Sequence, residues 1–548
     1  MAYNVVNLDA LLPRENFDVE APQVSLNRDN TISLATLQNS FFTQSLRKPD
    51  FQRETAHWSP TKVFDLVRAF LDADLIPAVI MWQSGPFVFV IDGAHRLSAL
   101  LAWIYDDYGD KVRSLRYFDN NIPADQLRVA DRTRKIINKE IGSFDTYRAA
   151  LEKPREDLSE TMRKRLANLS THSLTAQWVL SNDPKVAEDS FFKINQAASP
   201  IDPTESRIIK ARHSANALAA RAITRAGGGH RYWRNFTQET RESIEEAGKD
   251  LYRALYEPPM DEGYVKSLDV PVAGRGYNQL PFVFDFVNLA NAQKITDSTA
   301  KRAVKESLPP DMDGNQTRNY LRRVKEMTDR ITGHGTKSLG LHPLVYTYNR
   351  SGTFQPVSFF AMAKLLEQWE RDGMLEQFTH YRGRLEDYLL NHREGPSSIV
   401  HRKGSGQRSL PWMIDYIELV LDGLASGLSD EAITAEFDKM PEWQFINERR
   451  GPSANGDSEP GAAFSRNTKS AAIIDSLRTA RRCAICNGFL HRNAVHIDHE
   501  QEKANGGTAE FRNAQPAHPF CDSTYKRWLK GLGADWGPSP FSYERAYG

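Results

Sequence analysis

Two segments near the C-terminus are rich in metal-ligating side chains: RRCAICNGFLHRNAVHIDHE (481–500) and GGTAEFRNAQPAHPFCDSTYK (506–526). All three cysteines of the 548-residue chain lie here, and with one histidine they form two short pairs, C-x-x-C and H-x-x-C. The four residues are Cys483, Cys486, His518 and Cys521. Tetrahedral zinc takes four such ligands, commonly two from each of two turns. The spacing predicts a structural zinc site, and the alternative is buried reduced cysteines beside an ordinary histidine.

The segment between the two pairs carries polar side chains of another kind. AVHIDH alternates like a β-strand and ends on Asp498 and His499, Gly506 and Gly507 form a loop, and DSTYKRWLKGL continues as a helix. On a strand, His496 shares the face of Asp498, so it either touches metal or DNA or is an exposed strand residue. The pattern predicts a strand, a loop and a helix held together by zinc.

These residues resemble the HNH endonuclease family, which has a ββα-metal fold. The family pattern runs C-x-x-C, then D-H, then an Asn in an N-x-Q context, then C-x-x-C followed by Asn or His. Here the middle elements are Asp498-His499 and Asn513-Ala514-Gln515. Two positions differ from the pattern, because His518 replaces the third cysteine and Asp522 stands where Asn or His is usual. Zinc accepts the histidine readily, and Asp522 still offers oxygen to a metal.

The resemblance implies a role for each of these residues in phosphodiester hydrolysis, which needs an activated water and a cation facing the phosphate. His499 is predicted to be the general base, because imidazole titrates near neutrality. Asp498 and Asp522 are predicted to bind Mg²⁺ or Mn²⁺ through oxygen. Asn513 is predicted to hold the loop that orients His499.

A second group of polar residues lies where a strand turns into a helix. FVFVI (87–91) is predicted to be a buried strand, followed by a turn and an amphipathic helix, and SPTKVFDLVRAFLDADLIP (59–77) is predicted to be a helix capped by Ser59. The polar residues at the turn are Asp92, Gly93, His95 and Arg96. Free N–H groups at a helix start, together with Arg and His, make an anion site, and the alternative is a plain turn.

Together with FQRETAHW (51–58) and FFKINQAASPIDPTES (191–206), this turn resembles the N-terminal domain of the GmrSD-like family over roughly residues 15–220. That domain has a ParB/sulfiredoxin-like fold with a D-G-Q-Q-R motif, which is D-G-A-H-R here. The resemblance implies nucleotide binding and hydrolysis, and sensing of modified DNA in restriction and phosphorothioate-linked phage defence. His95 and Arg96 would contact nucleotide phosphates, Asp92 would orient the loop or a metal-bound water, and Arg53 would add a second positive charge. Replacement of both glutamines is expected to affect NTP hydrolysis more than phosphate binding.

The length of the chain predicts two to four domains, and the fold class is multidomain α+β. Residues 1–225 are predicted to form the sensing domain, 226–448 a mostly helical domain, and 471–548 the zinc-bound HNH endonuclease domain. Residues 449–470, rich in Gly, Ser, Pro and Asn, are predicted to be a linker that lets the nuclease move relative to the sensor.

Composition limits the function further. The net charge is zero, so any nucleic-acid surface must be local. There is no apolar run long enough to span a bilayer and no signal-peptide pattern, which predicts a cytoplasmic protein without a membrane partner.

The leading hypothesis is a DNA endonuclease of restriction or phage defence, acting on phosphorothioate, hypermodified or unmodified DNA. The alternatives are a non-catalytic DNA-binding regulator with a structural zinc knot, and a nucleotidase with nucleic-acid effectors. Homo-oligomerisation is left open.

Overall fold

The fold was analysed in a computed structural model that describes residues 5–17, 28–52, 58–198, 203–260, 263–274, 279–295, 308–404, 406–446 and 463–531. Within these ranges the chain is a mixed α/β protein and mostly helical, as predicted. The strands are β1 (Arg14–Glu15), β2 (Thr31–Ser33), β3 (Leu46–Pro49), β4 (Val79–Ser84), β5 (Phe87–Asp92), β6 (Ser173–Val179), β7 (His496–His499) and β8 (Ala514–Ala517).

The helices of the N-terminal part surround its sheet. They are α1 (Leu34–Gln38), α2 (Ser40–Ser45), α3 (Pro60–Leu71), α4 (Ala94–Tyr105), α5 (Val112–Tyr117), α6 (Ala124–Glu140), α7 (Phe144–Leu151), α8 (Glu160–Thr171), α9 (Pro184–Ala198) and α10 (Pro203–Lys210). The helices that follow are α11 (Ala215–Thr224), α12 (Gln238–Tyr256), α13 (Gln279–Ala290), α14 (Asn315–Ile331), α15 (Pro343–Tyr346), α16 (Pro356–Arg371), α17 (Leu375–Asn391), α18 (Glu394–Lys403), α19 (Leu410–Ala425), α20 (Asp430–Lys439), α21 (Arg466–Asp475) and α22 (Lys526–Gly531).

The N-terminal sheet has six strands in the order β1-β3-β5-β4-β6-β2. Strand β3 runs parallel to β1 and β5, β4 runs antiparallel to β5 and parallel to β6, and β2 is antiparallel to β6. The parallel strands β3 and β5 therefore end at the same edge, which is where α/β sheets commonly bind ligands. Asp92 is the last residue of β5 and lies at this edge.

Local sequence explains why these elements form. The Ser59 hydroxyl accepts from the Lys62 N–H and caps α3, with Pro60 in the first turn, as predicted. Gly93 has φ +95°, which only glycine adopts readily, and it turns β5 directly into α4. Strand β6 lies between two helices, α8 and α9. Its alternation of buried Leu174 and Ala176 with exposed residues is the signal that distinguishes it as a strand.

The buried apolar residues form separate cores of unequal size. The N-terminal sheet and its helices enclose cores of their own, which include no described buried residue beyond Ile209. A larger core begins at Ile208, runs through the helical middle and continues into the C-terminal residues up to Tyr525. Helix α11 packs in this larger core, although residues 1–225 were predicted to form the sensing domain. The C-terminal unit and the helical middle therefore share one continuous apolar interior.

The C-terminal unit consists of α21, the cysteine-bearing turns, the antiparallel hairpin β7–β8, a π-helical turn (Cys521–Tyr525) and α22. Helix α21 begins at Arg466, so its first turns fall within the predicted linker 449–470, of which residues 449–462 lie outside the described part. The shared core joins the C-terminal unit to the helices of the middle region. Movement of the C-terminal unit relative to the N-terminal domain stays a prediction. Every described helix is too short or too polar to span a bilayer.

Candidate metal centre and active site

The four predicted zinc ligands come together in the structure. Cys483, Cys486, His518 and Cys521 are all buried, and their ligand atoms lie within 4.8 Å of one another. Three soft thiol sulfurs and one imidazole nitrogen at this separation suit a single tetrahedral zinc ion. The predicted cysteine-histidine cluster is therefore confirmed, and the identity of its metal remains a prediction.

The histidine of the cluster is oriented as a metal ligand. His518 Nε2 is 3.0 Å from the carbonyl oxygen of Phe489, while Nδ1 lies 3.4 Å from the Cys486 sulfur. Zinc-bound histidines usually donate their second ring N–H to such an oxygen, which fixes the ring and the tautomer. The Gly488 N–H also donates to the Cys486 sulfur, at 3.4 Å. The surroundings therefore fit a thiolate-rich metal site.

The charges in and around the cluster also fit a metal site. Hydrogen bonds from Cys486 and Cys521 hold the pKa of the Cys483 thiol well below its usual range. Burial raises the pKa of the Cys486 and Cys521 thiols. The guanidinium of Arg382 lies 3.4 Å from His518 Nδ1 and is completely buried. Three thiolates around Zn²⁺ carry a net negative charge, and the Arg382 cation offsets it.

The hairpin β7–β8 presents Asp498 toward the C-terminal helix. Asp498 lies opposite Gln515 in the hairpin, and one of its carboxylate oxygens accepts from Gln515 Nε2 at 2.8 Å and from Lys526 Nζ at 2.7 Å. Burial raises the pKa of the carboxyl, but the bonds from Lys526 and Gln515 outweigh it and the pKa is below its usual value. Asp498 is therefore ionised at neutral pH.

Asp522 sits in the π-helical turn that directly follows the last cysteine. Its carboxylate accepts a hydrogen bond from His496 Nδ1 at 3.0 Å, and it also lies within hydrogen-bonding reach of Asp498. The π-helical turn is a local widening of the helix that frequently marks functional sites. The two predicted metal-binding carboxylates thus face each other across the hairpin and the helix.

His499 is the last residue of β7, and its imidazole is half-buried with no hydrogen-bonding partner among the described residues. Its backbone carbonyl accepts from Lys526 Nζ. Asn513 closes the loop that follows, because its side chain accepts from the Gln501 N–H at 2.7 Å and donates to Gln501 and Thr508 carbonyls. The chain is therefore fixed on both sides of His499 while the ring stays available to solvent.

The N-terminal turn also assembles its predicted residues. Asp92 and Arg96 form an ion pair at 2.5 Å, and Arg96 also donates to the Ala78 carbonyl at 3.0 Å. A Cβ at Gly93 would lie 2.9 Å from the Arg96 guanidinium, so the packing also favours glycine here. The His95 ring stacks on Trp58 with 5.4 Å between ring centroids. Arg53 lies outside the described residues.

Sequence reasoning missed Lys526 and Arg382 in the C-terminal site and left the role of His496 open. Lys526 was not predicted to belong to the site, although its position four residues after Asp522 places both on one helix face. His496 shares the strand face of Asp498, but its bond to Asp522 depends on the tertiary fold. Arg382 lies more than one hundred residues before His518, and no local pattern connects them.

Comparison with known proteins bears on the N-terminal part. Residues 34–214 match the family model described as the GmrSD restriction endonuclease, N-terminal domain. The predicted resemblance is therefore confirmed for this region. The match stops before the helical middle and includes none of the C-terminal metal-ligating residues. Neither curated proteins nor solved structures gave a match to the chain.

Proposed function

We propose that this chain is a DNA endonuclease of a phage-defence or modification-dependent restriction system, with a C-terminal HNH module as its cutting unit. The proposal rests mainly on one observation: Asp498 and Asp522 come together beside the open imidazole of His499, because Asp522 contacts His496, which shares the strand face of Asp498. The match of residues 34–214 to the N-terminal domain of a restriction endonuclease independently supports this class of function. DNA is then the macromolecular partner.

In this mechanism the protein binds one divalent cation and activates one water. Asp498 and Asp522 would hold Mg²⁺ or Mn²⁺, which would supply positive charge to the scissile phosphate and the leaving oxygen. His499 accepts a proton from the attacking water, and Asn513 keeps the loop after His499 closed so that the ring holds its direction. The zinc cluster is structural, because all four of its ligand positions are filled by protein groups.

The N-terminal domain supplies the trigger in this proposal. Gly93 starts α4 at the carboxyl edge of the sheet, and His95 and Arg96 bring positive or titratable groups to that helix start. A nucleotide phosphate or a modified DNA backbone is the anion that this edge would recognise. The Asp92–Arg96 ion pair would have to open or share its guanidinium when such an anion binds.

A regulator that binds DNA without cutting it is the second candidate. Its supporting observation is the contact between Lys526 and Asp498, because an ammonium group on that carboxylate already neutralises its charge. The third hypothesis, a nucleotidase, rests on the N-terminal turn alone. All three candidates are separated by one set of variants.

The decisive experiment is a nicking assay on differently modified plasmid DNAs with Mg²⁺ or Mn²⁺, with and without nucleotides. His499→Ala should lower the nicking rate by about 10²–10⁴-fold. His401→Ala, which changes an exposed histidine in α18, is the matched control and should retain full activity. Equal inactivity of the wild type and His499→Ala on every DNA would favour the regulator. Phosphate release that survives His499→Ala but not Arg96→Ala would favour the nucleotidase.

A further inference from the structure

A short segment of the helical middle lies directly against the proposed catalytic turn. Residues 333–340, here called the bracing segment, connect α14 to α15. Three alternate carbonyl groups of this segment accept hydrogen bonds from the C-terminal unit: His334 from His496 Nε2 at 2.9 Å, Thr336 from Ser523 Oγ at 2.8 Å, and Ser338 from the Phe520 N–H at 2.9 Å. The bracing segment therefore contacts the C-terminal unit through three hydrogen bonds along its length rather than through a single one.

Close packing keeps the bracing segment against the C-terminal unit. Gly340 has φ +58°, and a Cβ there would lie 2.7 Å from the Ala494 side chain and 3.0 Å from the His518 ring. The carbonyls of Leu339 and Gly340 accept from the buried guanidinium of Arg382, which also contacts His518. The bracing segment is thus fixed to the zinc cluster at one end and to the catalytic turn along its length.

His496 connects the bracing segment to the proposed metal site. Both partners are acceptor oxygens, so with a proton on each ring nitrogen His496 donates from Nε2 to the His334 carbonyl, at 2.9 Å, and from Nδ1 to the Asp522 carboxylate, at 3.0 Å. A ring held at both nitrogens has little rotational freedom, so it fixes the Asp522 oxygen that it contacts. Partners of this kind, which hold a metal-binding carboxylate without touching the metal, typically change metal affinity or activity 10–100-fold when they are removed.

We propose that His496 is a positioning residue, which transmits the placement of the bracing segment to the metal-binding carboxylate of Asp522. The helical middle is then part of the metal site, because a backbone carbonyl of that region orients one of the two metal ligands. Helix α14, which leads into the bracing segment, packs against α11, α12, α13 and α16. A shift of α14 would therefore move the His334 carbonyl and, through His496, the carboxylate of Asp522. This inference rests on the proposed function, since it assigns Asp522 to a divalent metal.

The test measures metal binding separately from DNA cleavage. Mn²⁺ affinity is measured by electron paramagnetic resonance on the zinc-loaded full chain without DNA, and the Mn²⁺ dependence of nicking is measured in parallel. His496→Ala should weaken Mn²⁺ binding about 10–100-fold, while the zinc content and the KM for DNA stay unchanged. His496→Gln, which keeps a donor group, should recover part of the affinity. Ser523→Ala removes a neighbouring contact and should shift it less.

The matched control is His334→Ala. It removes an exposed imidazole but keeps the backbone carbonyl that His496 uses, so Mn²⁺ binding should stay within about two-fold of the wild type. Unchanged Mn²⁺ affinity in His496→Ala, with a wild type that nicks DNA, would overturn the positioning role and leave the proposed function standing. Weakened Mn²⁺ binding with no nicking by any protein would support the positioning role and sink the proposed function. A wild type that binds no Mn²⁺ would overturn both.

Discussion

At the C-terminal junction, Cys486, Phe489 and Phe520 lie in the same apolar core as the helices of the middle region, whereas the N-terminal sheet closes around cores of its own. Charged and polar groups carry much of the N-terminal junction. These contacts include Arg225–Asp9, Arg212–Asp50, Arg234–Glu15, Tyr232–Asp50 and Tyr252–Asp125.

The difference indicates which parts can move. A shared apolar core makes the C-terminal unit and the helical middle one cooperative unit, since separating them would expose the apolar surface of both. A polar junction resembles those between domains that change their relative position. Any movement of the N-terminal sheet relative to the rest of the molecule is therefore expected at the N-terminal junction, and the predictions below test this contrast from the largest effect to the smallest.

Loss of a zinc ligand should affect more than the zinc cluster. Cys521→Ser should bind less than half an equivalent of zinc, and structural zinc sites contribute on the order of 10 kcal/mol to folding. Because the core is shared, hydrogen-exchange protection should fall in α17 and α19 as well as in the hairpin β7–β8. Asp522→Asn is the control, since it alters the neighbouring residue and should retain zinc. Full protection of α17 after zinc loss would show that the C-terminal unit folds separately.

The buried ion pair at this junction should come next in size. Arg382 and Glu386 are 0% exposed and 2.7 Å apart, and Glu386 also accepts from the Phe489 N–H and the Tyr346 hydroxyl. Arg382→Met leaves that carboxylate buried without its cation, which should cost about 3–5 kcal/mol in urea unfolding.

The control for this ion pair has the same spacing on a helix surface. Lys325 and Asp329 are also four residues apart but half-exposed, so Lys325→Met should cost no more than about 1 kcal/mol. Equal losses for Arg382→Met and Lys325→Met would mean that the buried pair does not fasten the C-terminal unit.

Acid should loosen the C-terminal junction through His491, which is buried and contacts the ring of His342. Burial lowers the pKa of His491 to about 4, against 6.5 when exposed. A lowered pKa in the folded state means that the unfolded chain binds the extra proton first, so stability is present above pH 6.5 and is lost as the pH falls toward 4. Between pH 7 and 5.5 the loss should be about 1 kcal/mol.

His491→Phe isolates this contribution, because it keeps an aromatic ring against His342 and removes the titrating group. Urea unfolding of both proteins at pH 7 and pH 5.5 gives the comparison. The wild type should lose about 1 kcal/mol more than the variant. Parallel pH dependence in the two proteins would contradict a neutral buried His491.

Much of the candidate site was predictable from sequence because its signals are local. Two short ligand pairs hold the zinc cluster, and the turn at Gly93 follows from a strand pattern that meets a helix pattern. The junctions were not predictable in this way. Arg382 and Glu386 have the spacing of an ordinary exposed helix pair, and only the tertiary fold buries them against Phe489 and His518. The core that the C-terminal unit shares with the helical middle was not predictable either, because composition does not report which segments pack together.

The smallest effect is expected at a partly exposed ion pair of the N-terminal junction, where polar contacts take the place of a shared apolar core. Arg234→Gln removes the contact with Glu15, at 2.6 Å, whose side chains are partly exposed to solvent. Such pairs contribute no more than about 1 kcal/mol, and they weaken further as salt rises. Urea unfolding of the wild type and Arg234→Gln at low and high salt should therefore give a small difference that shrinks in high salt. A loss above 3 kcal/mol in the free energy of unfolding would mean that this junction also depends on a single ion pair. Movement would then have to occur at another place in the molecule.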